Sequence, residues 1–387
     1  MIEFGQTGGS MVLYKFMDKL CERGYEVFAI TPNERVKWRP GFSKVVIERL
    51  NERRSLKTKS YYLGLKIINK SKLLEQIAKL ALDFRFSPIK KIQRLTQKLI
   101  ENWISSDITI STHCFTAYAN YALMDKSIPI YHMQSYEELF FSEEIFQKAA
   151  RLTYYLPLIQ IANSCWLLDK IKEKTGSTPF LLNPGIDISI FYPRVNIDKK
   201  YNDLSEHIIF SYYSPAKLKD WDGAVEAMKI VFKKLGDKQV KWIVFGGMPP
   251  STPEIPIKFI GKIFGDSLAE MYSKAHVVFM NSWYESFPLP PIEAMACGTA
   301  VVTTRLGTED YAYDEKNSLV IPPRRPELLA DAIIRLINQP SFASQLAKNG
   351  VETAQKFTWE KSIDHLEEIL HQVGENNRKN RFVDGFV

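Results

Sequence analysis

The sequence predicts an α/β protein built from two doubly wound, Rossmann-like domains. Short apolar runs rich in β-branched residues alternate with amphipathic helical stretches, an order typical of parallel sheets covered by helices. The length of 387 residues exceeds what one hydrophobic core usually organises and suits two domains. The alternation also stops at a stretch rich in proline and glycine, 182–193, and then restarts, which indicates a linker.

The first half opens with a glycine-containing stretch, Gly5–Ser10, followed by a predicted helix at Met11–Arg23 and a strand at Tyr25–Ile30. Only Met1–Phe4 precede the glycines, so we expect either a very short first strand or a start upstream of Met1. Further along, the pattern predicts three strands, Asp107–Ser111, Ile128–Met133 and Gln160–Ser164, and a helix at Thr116–Met124.

The second half repeats the alternation. Predicted strands are His207–Tyr212, Val240–Phe245, Ile257–Ile260, Val277–Met280 and Ala300–Thr304, and predicted helices are Gly223–Lys234, Ser267–Lys274 and Pro326–Asn338. Two more helical patterns lie within Ser341–Val373. We therefore expect an N-terminal domain at 1–184, a C-terminal domain at 185–358 and a helical tail at 359–387.

The net charge of +7 is unevenly distributed. Between Arg35 and Lys98 there are 18 Lys and Arg against four acidic residues, a local charge of +14, with apolar residues interleaved at helical spacing. This basic insertion, about 35–103, is either a solvated helix face with an ordinary buried stripe or a surface that docks on an anionic membrane. No nucleic-acid-binding motif accompanies the charge, so nucleic acid is not an expected partner.

The chain contains no targeting signal that we can identify. No apolar run approaches the roughly 18 residues that span a bilayer, and no signal-peptide pattern begins the sequence, so we expect a cytoplasmic protein. The four cysteines are scattered singly, which favours buried, reduced thiols over disulfides or a zinc site.

The stretch Glu285–Glu293 is the most informative part of the chain. An apolar strand ends before it, and Pro290, Pro291 and then Gly298 indicate a short helix that starts within it. A helix start offers backbone N–H groups and the positive end of the helix dipole, which favour a phosphate. Glu285 and Glu293 would repel that phosphate, so they suit hydroxyl groups of an attached sugar and ribose. The stretch therefore predicts a nucleotide-sugar site.

These residues resemble the family 4 glycosyltransferases, retaining enzymes of the GT-B type. The resemblance is carried by Glu-x7-Glu followed by Ala-Met-Ala-Cys-Gly-Thr-Ala-Val-Val, and by four shorter matches: Asn163-Ser164 with Trp166, Asn183–Asp187, Asn317–Pro323 and Phe357–Trp359. It implies two Rossmann-like domains that face a cleft, with the last helix crossing back to the N-terminal domain.

The resemblance also implies roles for the residues of the second domain. Glu285 would bind hydroxyls of the donor sugar, and Glu293 would bind the ribose diol. The backbone amides of Ser286, Phe287 and Leu289 would approach the sugar and diphosphate, whereas Pro288 has only its carbonyl to offer. Lys219, and after it Lys217, would neutralise the diphosphate, although the family's usual upstream arginine is absent here. Backbone groups around Ile263 and Phe264 would read the base.

In the first domain, Gly8 and Gly9 match the glycine loop of the family, which closes over the diphosphate and acceptor. His113 lies near the position of a family histidine that contacts the donor sugar. Gln134 and Glu137 could reach an acceptor. Each residue has a plainer interpretation: Gly8 and Gly9 as an ordinary turn, His113 as a satisfied histidine at a strand end, and Lys219 as a solvated lysine.

The expected reaction transfers a glycosyl group from a nucleoside-diphosphate sugar to a hydroxyl with retention, without metal or cofactor. The triplet Asp220-Trp221-Asp222 lies at a predicted helix start, so we interpret it as a cap and not as a metal site. The expected acceptor is a glycan or lipid-linked glycan, as in bacterial surface polysaccharide assembly. A catalytically silent nucleotide-sugar-binding subunit is the alternative. A NAD-dependent enzyme is disfavoured because no Gly-x-Gly-x-x-Gly follows a strand.

Overall fold

The computed structural model describes residues 8–31, 46–49, 88–203, 206–236, 240–249 and 255–384. They fall into two compact units. The first unit takes residues from Met1–Ile161, Lys174–Pro179 and Leu370–Val387, and the second from Ala162–Glu173 and Phe180–Ile369. Most of the predicted basic insertion, and Met1–Phe4, lie outside the described residues.

The first part of the chain contains α1 (Gly8–Glu22), β1 (Phe28–Thr31), β2 (Val46–Arg49), α2 (Pro88–Glu101), β3 (Ile108–Ser111), α3 (Cys114–Ala122), β4 (Ile128–Met133), α4 (Glu144–Thr153), β5 (Ile159–Ala162), α5 (Cys165–Thr175) and β6 (Phe180–Leu181). Strands β1 and β2 form a parallel pair, and a four-stranded sheet has the order β3-β4-β5-β6 with β3 and β4 parallel. The strand Ile128–Met133 is as predicted, and its four residues from Ile130 to Met133 are all buried, as in a strand covered on both faces.

Helix α2 is the described part of the basic insertion. Its apolar stripe is buried, since Ile92 and Leu99 are almost inaccessible and Leu99 packs with Ala119 of α3. Lys91 and Arg94 are exposed on the other face. The amphipathic pattern of this helix is therefore explained by packing within the protein, and the surface that remains is cationic.

The second unit contains α6 (Ile197–Asn202), β7 (His207–Tyr213), α7 (Trp221–Leu235), β8 (Val240–Gly246), β9 (Lys258–Phe259), α8 (Gly265–Lys274), β10 (Val277–Met280), α9 (Leu289–Ala296), β11 (Ala300–Thr304), β12 (Leu319–Ile321), α10 (Pro326–Asn338) and α11 (Pro340–Ala354). Its sheet has the order β12-β11-β10-β7-β8-β9, and all five pairs of neighbouring strands are parallel. This is the doubly wound Rossmann order, and the direction of winding reverses between β7 and β10.

The core of the second unit covers both faces of its sheet. Along β10, Val277 and Phe279 pack into one apolar cluster and Val278 packs into the other. Because both faces are covered, an uninterrupted apolar run forms a strand here, and the predicted bounds of β10, β11 and α10 are confirmed.

Several predicted elements differ from the structure at their ends: the strand predicted at Tyr25–Ile30, for example, is Phe28–Thr31. Three of these differences are described here. Helix α1 begins at Gly8, so the glycines form its first turn and not a loop before it. Strand β5 ends at Ala162 because the next residues start a helix, in which Ser164 Oγ accepts from Leu167 N at 3.2 Å. Strand β9 shortens to two residues.

The last helix, α12 (Trp359–Asp384), is a single element of 26 residues. Its residues up to Ile369 belong to the second unit and those from Leu370 onward to the first. In the first unit, His371 Nε2 lies 3.4 Å from Tyr25 Oη.

No helix among the described residues combines the length and the apolar character needed to cross a bilayer.

Candidate functional site

The candidate site of the second unit lies where the sheet reverses its winding. In doubly wound sheets ligands bind outside the carboxyl ends of the strands at this position. Strand β7 leads into a one-turn 3-10 helix, Lys217–Lys219, and β10 leads into the corner Glu285–Glu293. Both predicted donor-binding segments therefore follow the two central strands.

The corner ends in helix α9, which begins one residue before the predicted prolines. Pro288 is the N-cap, Pro290 and Pro291 stand in the first turn, and Gly298 follows the helix in the left-handed conformation at φ 72°. Prolines lack an N–H group, so the amide donors at this helix start are those of Phe287 and Leu289. The carbonyl of Pro288 already accepts a hydrogen bond from Tyr311 Oη at 2.7 Å.

The backbone at Glu285 is held by two neighbouring loops. Glu285 N donates to Leu306 O at 3.0 Å, and Trp283 N donates to Leu218 O at 2.8 Å. Gly307 has φ 91°, and a Cβ atom there would lie 2.2 Å from Glu285 O. Only glycine fits this contact, because any side chain would displace the carbonyl of Glu285.

Lys219 and Glu285, two residues selected from the sequence, form an ion pair between Nζ and Oε1. Their side chains are 23% and 17% exposed, so the pair is partly shielded from water. The lysine and the carboxylate thus lie together at the corner, although they are 66 positions apart in the sequence.

Glu293 lies in the second turn of α9, beyond the helix start, and is half-buried. Burial raises its pKa to about 8, and the neighbouring Tyr272 hydroxyl lowers the pKa in part. Its carboxyl group is therefore mostly protonated at neutral pH and can both donate and accept a hydrogen bond.

Ser286 is anchored by the start of α5. Its hydroxyl donates to Asn163 Oδ1 and lies 3.3 Å from Ser164 Oγ. Asp310, which the sequence reasoning missed, accepts from Cys165 N at 3.1 Å and from Asn183 Nδ2 at 2.9 Å. The signal that could have found Asp310 is its position shortly after β11, at the same edge of the sheet as the corner.

Ile263 and Phe264, the predicted base-reading residues, follow β9 at the carboxyl edge of the sheet. Gly246 N donates to Gly261 O at 3.0 Å, which connects this segment to the end of β8. Phe264 is 47% exposed and is the N-cap residue of α8.

A second concave region was not predicted. A cavity of about 460 Å³ is lined by Lys217, Trp283 and Arg324, among others. The Arg324 guanidinium stacks on the Trp283 ring at 3.8 Å, with Arg324 at φ 59°. These residues come from three separate loops, so no local sequence pattern brings them together.

The triplet at Asp220 does not cap α7 in the predicted way. Asp220 occupies the N-cap position with φ 52°, but its side chain makes no capping hydrogen bond. Its carbonyl accepts from Asn281 Nδ2 at 2.8 Å. In this left-handed conformation the main-chain carbonyl of Asp220, and not its carboxylate, accepts the hydrogen bond from Asn281.

In the first unit, the predicted residues lie in two adjacent groups. A Cβ atom on Gly9 would lie 2.9 Å from Gln134 Oε1, so Gly9 leaves room for the end of the Gln134 side chain. His113 is the N-cap of α3, and its Nδ1 accepts from Phe115 N at 3.2 Å. Burial lowers the pKa of His113 to about 3, so the imidazole is neutral.

Glu137 is only 2% exposed, and its Oε2 accepts from Cys114 N and from Tyr131 Oη. The structure therefore places it in a supporting position and not on a surface open to an acceptor. Among the described residues, potential ligand atoms of His113, Cys114 and Glu137 lie within 4.8 Å of one another. Burial raises the pKa of the Cys114 thiol, and the other two groups already make hydrogen bonds, so we assign this cluster to the start of α3.

Comparisons with known proteins agree with this architecture. The family model "Glycosyl transferases group 1" matches residues 208–339. A D-inositol 3-phosphate glycosyltransferase of Saccharomonospora viridis is 36% identical over 117 residues, which are 30% of this chain and 27% of that protein. The one of Actinosynnema mirum is 26% identical over 280 residues, 66% of this chain and 64% of the relative. The chain thus spans from about a quarter to less than two thirds of these relatives.

Two solved structures share the fold over nearly the whole chain. Sucrose-phosphate synthase from Thermosynechococcus elongatus has a TM-score of 0.70 and 18% identity, covering 95% of this chain and 94% of that one. Anabaena HepE, solved with UDP and glucose, has a TM-score of 0.67 and 16% identity, covering 96% and 98%.

Two Rossmann-like units with a corner of this kind define the GT-B class of fold. Within the chain, residues 208–339 match the family model of the group 1 glycosyltransferases.

Proposed function

We propose that this protein is a glycosyltransferase that moves a glycosyl group from a nucleoside-diphosphate sugar to a hydroxyl group with retention of configuration. The observation that carries the proposal is the Lys219–Glu285 ion pair beside the start of α9 at the topological switch point. The curated relatives are named glycosyltransferases, and HepE was solved with UDP and with UDP-glucose. A uridine diphosphate sugar is therefore the first donor to test.

The proposed donor site uses the geometry of the second unit. Amides of Ser286, Phe287 and Leu289 and the ammonium groups of Lys217 and Lys219 bind the diphosphate. Glu285 accepts hydrogen bonds from the sugar, Glu293 binds the ribose diol, and backbone groups at Ile263 and Phe264 contact the base. The carbonyl of Pro288 accepts from Tyr311 Oη, which fixes the turn and leaves this carbonyl one further lone pair for the donor.

The proposed chemistry is a front-face displacement. The acceptor oxygen forms a bond to the anomeric carbon as the bond from that carbon to the diphosphate oxygen breaks, and the departing diphosphate takes the acceptor's proton. Lys219 stabilises the charge that develops on the leaving group, and Glu285 orients the sugar. Glu137 is no candidate nucleophile for a double displacement, because its carboxylate is buried and bonded to Cys114 N and Tyr131 Oη. For the first unit, we propose that His113 Nε2 donates to a sugar hydroxyl and that Gly8, Gly9 and Gln134 lie near the substrates.

The proposed setting is bacterial surface polysaccharide or glycolipid assembly, in the cytoplasm and at the inner face of the plasma membrane. The exposed Lys91 and Arg94 on α2 support an electrostatic attraction to anionic lipid. Because the apolar stripe of α2 is buried, attachment through this helix would depend on charge and not on insertion. Vesicle co-sedimentation tests this: binding should increase with anionic lipid and fall with salt, and salt-independent binding would contradict it.

The decisive experiment has two stages. A thermal-shift panel of nucleoside diphosphates and their sugars identifies the donor through ligand-linked stabilisation, starting with UDP and UDP-glucose. Hydrolysis of that donor without acceptor, and transfer to glycan acceptors, are then measured with and without a chelator. Turnover in the chelator supports a metal-independent transferase, whereas turnover restored only by manganese contradicts that part. Binding without hydrolysis or transfer would favour the silent binding subunit.

A further inference from the structure

The start of α3 carries a buried acid whose role the proposed reaction does not explain. Glu137 lies in a 3-10 turn, Glu137–Phe140, and makes no ion pair among the described residues, whereas the adjacent Glu138 pairs with Arg151 and Lys174. A buried carboxylate without a cation is costly, so its hydrogen bonds must hold it in place. One of those bonds comes from the backbone N–H of Cys114, the first residue of α3.

This contact completes a set of hydrogen bonds around His113. The Cys114 amide donates to Glu137, and the Phe115 amide donates to His113 Nδ1 at 3.2 Å. The Thr116 amide donates to His113 O at 2.9 Å, and Thr116 Oγ1 accepts from His113 N at 3.2 Å. The first three amides of the helix are thus all satisfied, two of them by His113 itself.

The set of bonds also determines the state of the imidazole. A neutral histidine that accepts at Nδ1 carries its proton on Nε2. The ring is held edge-on by Phe115 and Phe141, with centroid distances of 5.3 and 6.3 Å. His113 is therefore presented as a neutral donor through Nε2, in one orientation.

We propose that Glu137 is a positioning residue: by accepting from Cys114 N it fixes the start of α3 and so holds His113 in the Nε2–H tautomer and in this orientation. This inference rests on the proposed function, in which His113 donates a hydrogen bond to a sugar hydroxyl. Losing the acceptor would leave a buried N–H unpaired, and the first turn of α3 would shift to find another partner.

The test compares three variants of the full chain. Glu137→Gln keeps an acceptor oxygen and removes the charge, whereas Glu137→Met removes the acceptor at similar volume. Tyr131→Phe is the matched control, because it removes the other hydrogen bond of Glu137, of 2.7 Å, and leaves the bond from Cys114 N. The first readout is the pair of ¹⁵N shifts of the His113 ring, assigned by comparison with His113→Gln, and the second is kcat and KM for transfer.

We expect the wild type, Glu137→Gln and Tyr131→Phe to show the Nε2–H tautomer. In Glu137→Met both tautomers of His113 should be populated. The kcat should fall about 100-fold with a much smaller change in the donor KM, because His113 would be misplaced for the reaction while the contacts that bind the donor remain. A wild-type ring spectrum in Glu137→Met overturns the inference, as does an equal effect of Tyr131→Phe. If Glu137→Met does not fold, loss of the tautomer in Glu137→Gln with its fold intact also overturns it.

Two further outcomes distinguish this inference from a failure of the proposed function and from a metal site. If the wild type binds donor but transfers nothing, the proposed function fails while the ring spectra still decide the role of Glu137. Stoichiometric zinc in the purified wild type that is lost in Glu137→Met would replace the positioning role by a metal site and overturn the inference.

Discussion

The ammonium group of Lys219 and the carboxylate of Glu285 form an ion pair. Each group is thus held by its partner at the place where a donor would bring a diphosphate and hydroxyl groups. Binding of the donor would replace this ion pair by two contacts, one from Lys219 to phosphate and one from Glu285 to the sugar. Both charged groups would therefore have a polar partner before and after the donor binds.

Glu285→Ala should lower kcat for transfer by about 100-fold to 1,000-fold, because contacts that strengthen in the transition state are lost. The free energy of unfolding should change by no more than about 1 kcal/mol, since the pair is partly exposed. The matched control is Glu270→Ala, which breaks an exposed Glu–Lys pair of 2.6 Å on α8 and should leave kcat unchanged. Equal activities of the two variants would remove Glu285 from the site.

Gly307→Ala should displace the backbone of the corner at Glu285, although the two residues are far apart in the sequence. A methyl group there would collide with Glu285 O, and φ 91° is strained for alanine. Gly236→Ala is the control, because Gly236 has φ 82° but nothing within 4 Å of an added Cβ. Both variants should lose about 1–2 kcal/mol of stability through backbone strain, and only Gly307→Ala should raise the donor KM. Chemical denaturation and initial-rate kinetics measure the two effects.

Much of the secondary structure of the second unit could be predicted, because there the local sequence pattern agrees with the packing that the sheet requires. The run Val277–Met280 is apolar throughout, which only a strand covered on both faces permits, and the prolines and Gly298 mark both ends of α9. The pairing of Lys219 with Glu285 was not predicted, because Glu285 was assigned to sugar hydroxyls and Lys219 to the diphosphate, two separate roles. Their contact depends on the order of β7 and β10 in the sheet, which no local pattern encodes.

The first unit shows where sequence reasoning fails. Gly9 was interpreted as part of a loop, yet it lies in a helix, because its missing side chain serves the close approach of Gln134 and not a turn. The position of Glu137 in the segment after β4 indicated that it could reach an acceptor, but the position of a residue in the sequence does not reveal the direction of its side chain. Its buried position follows from the bonds to Cys114 N and Tyr131 Oη, which are tertiary contacts.

Asp310→Ala should destabilise the support behind the corner. The carboxylate accepts from Cys165 N and Asn183 Nδ2, and its removal leaves both donors without this partner. We expect a loss of about 1–3 kcal/mol in the free energy of unfolding. Asp331→Ala, which removes an exposed carboxylate paired with Lys234 at 3.1 Å, should cost less than about 1 kcal/mol. Similar losses in denaturant titrations of the two variants would show that the Asp310 contacts add nothing.

The raised pKa of Glu293 predicts a specific pH dependence of stability. In the folded protein burial raises the pKa of Glu293 to about 8, whereas in the unfolded chain the carboxyl group has its ordinary pKa of 4.5. The contribution of the neutral carboxyl is therefore fully present below pH 4.5 and is lost as the pH rises through about 8. Glu293→Gln keeps a neutral side chain at every pH, so its stability relative to the wild type should increase between pH 5 and pH 9. Denaturant titrations at several pH values measure this difference.

Glu315→Gln, at an exposed ion pair with Arg335, is the control and should show no such trend. A constant difference between Glu293→Gln and the wild type would mean that the carboxyl titrates normally in the folded protein.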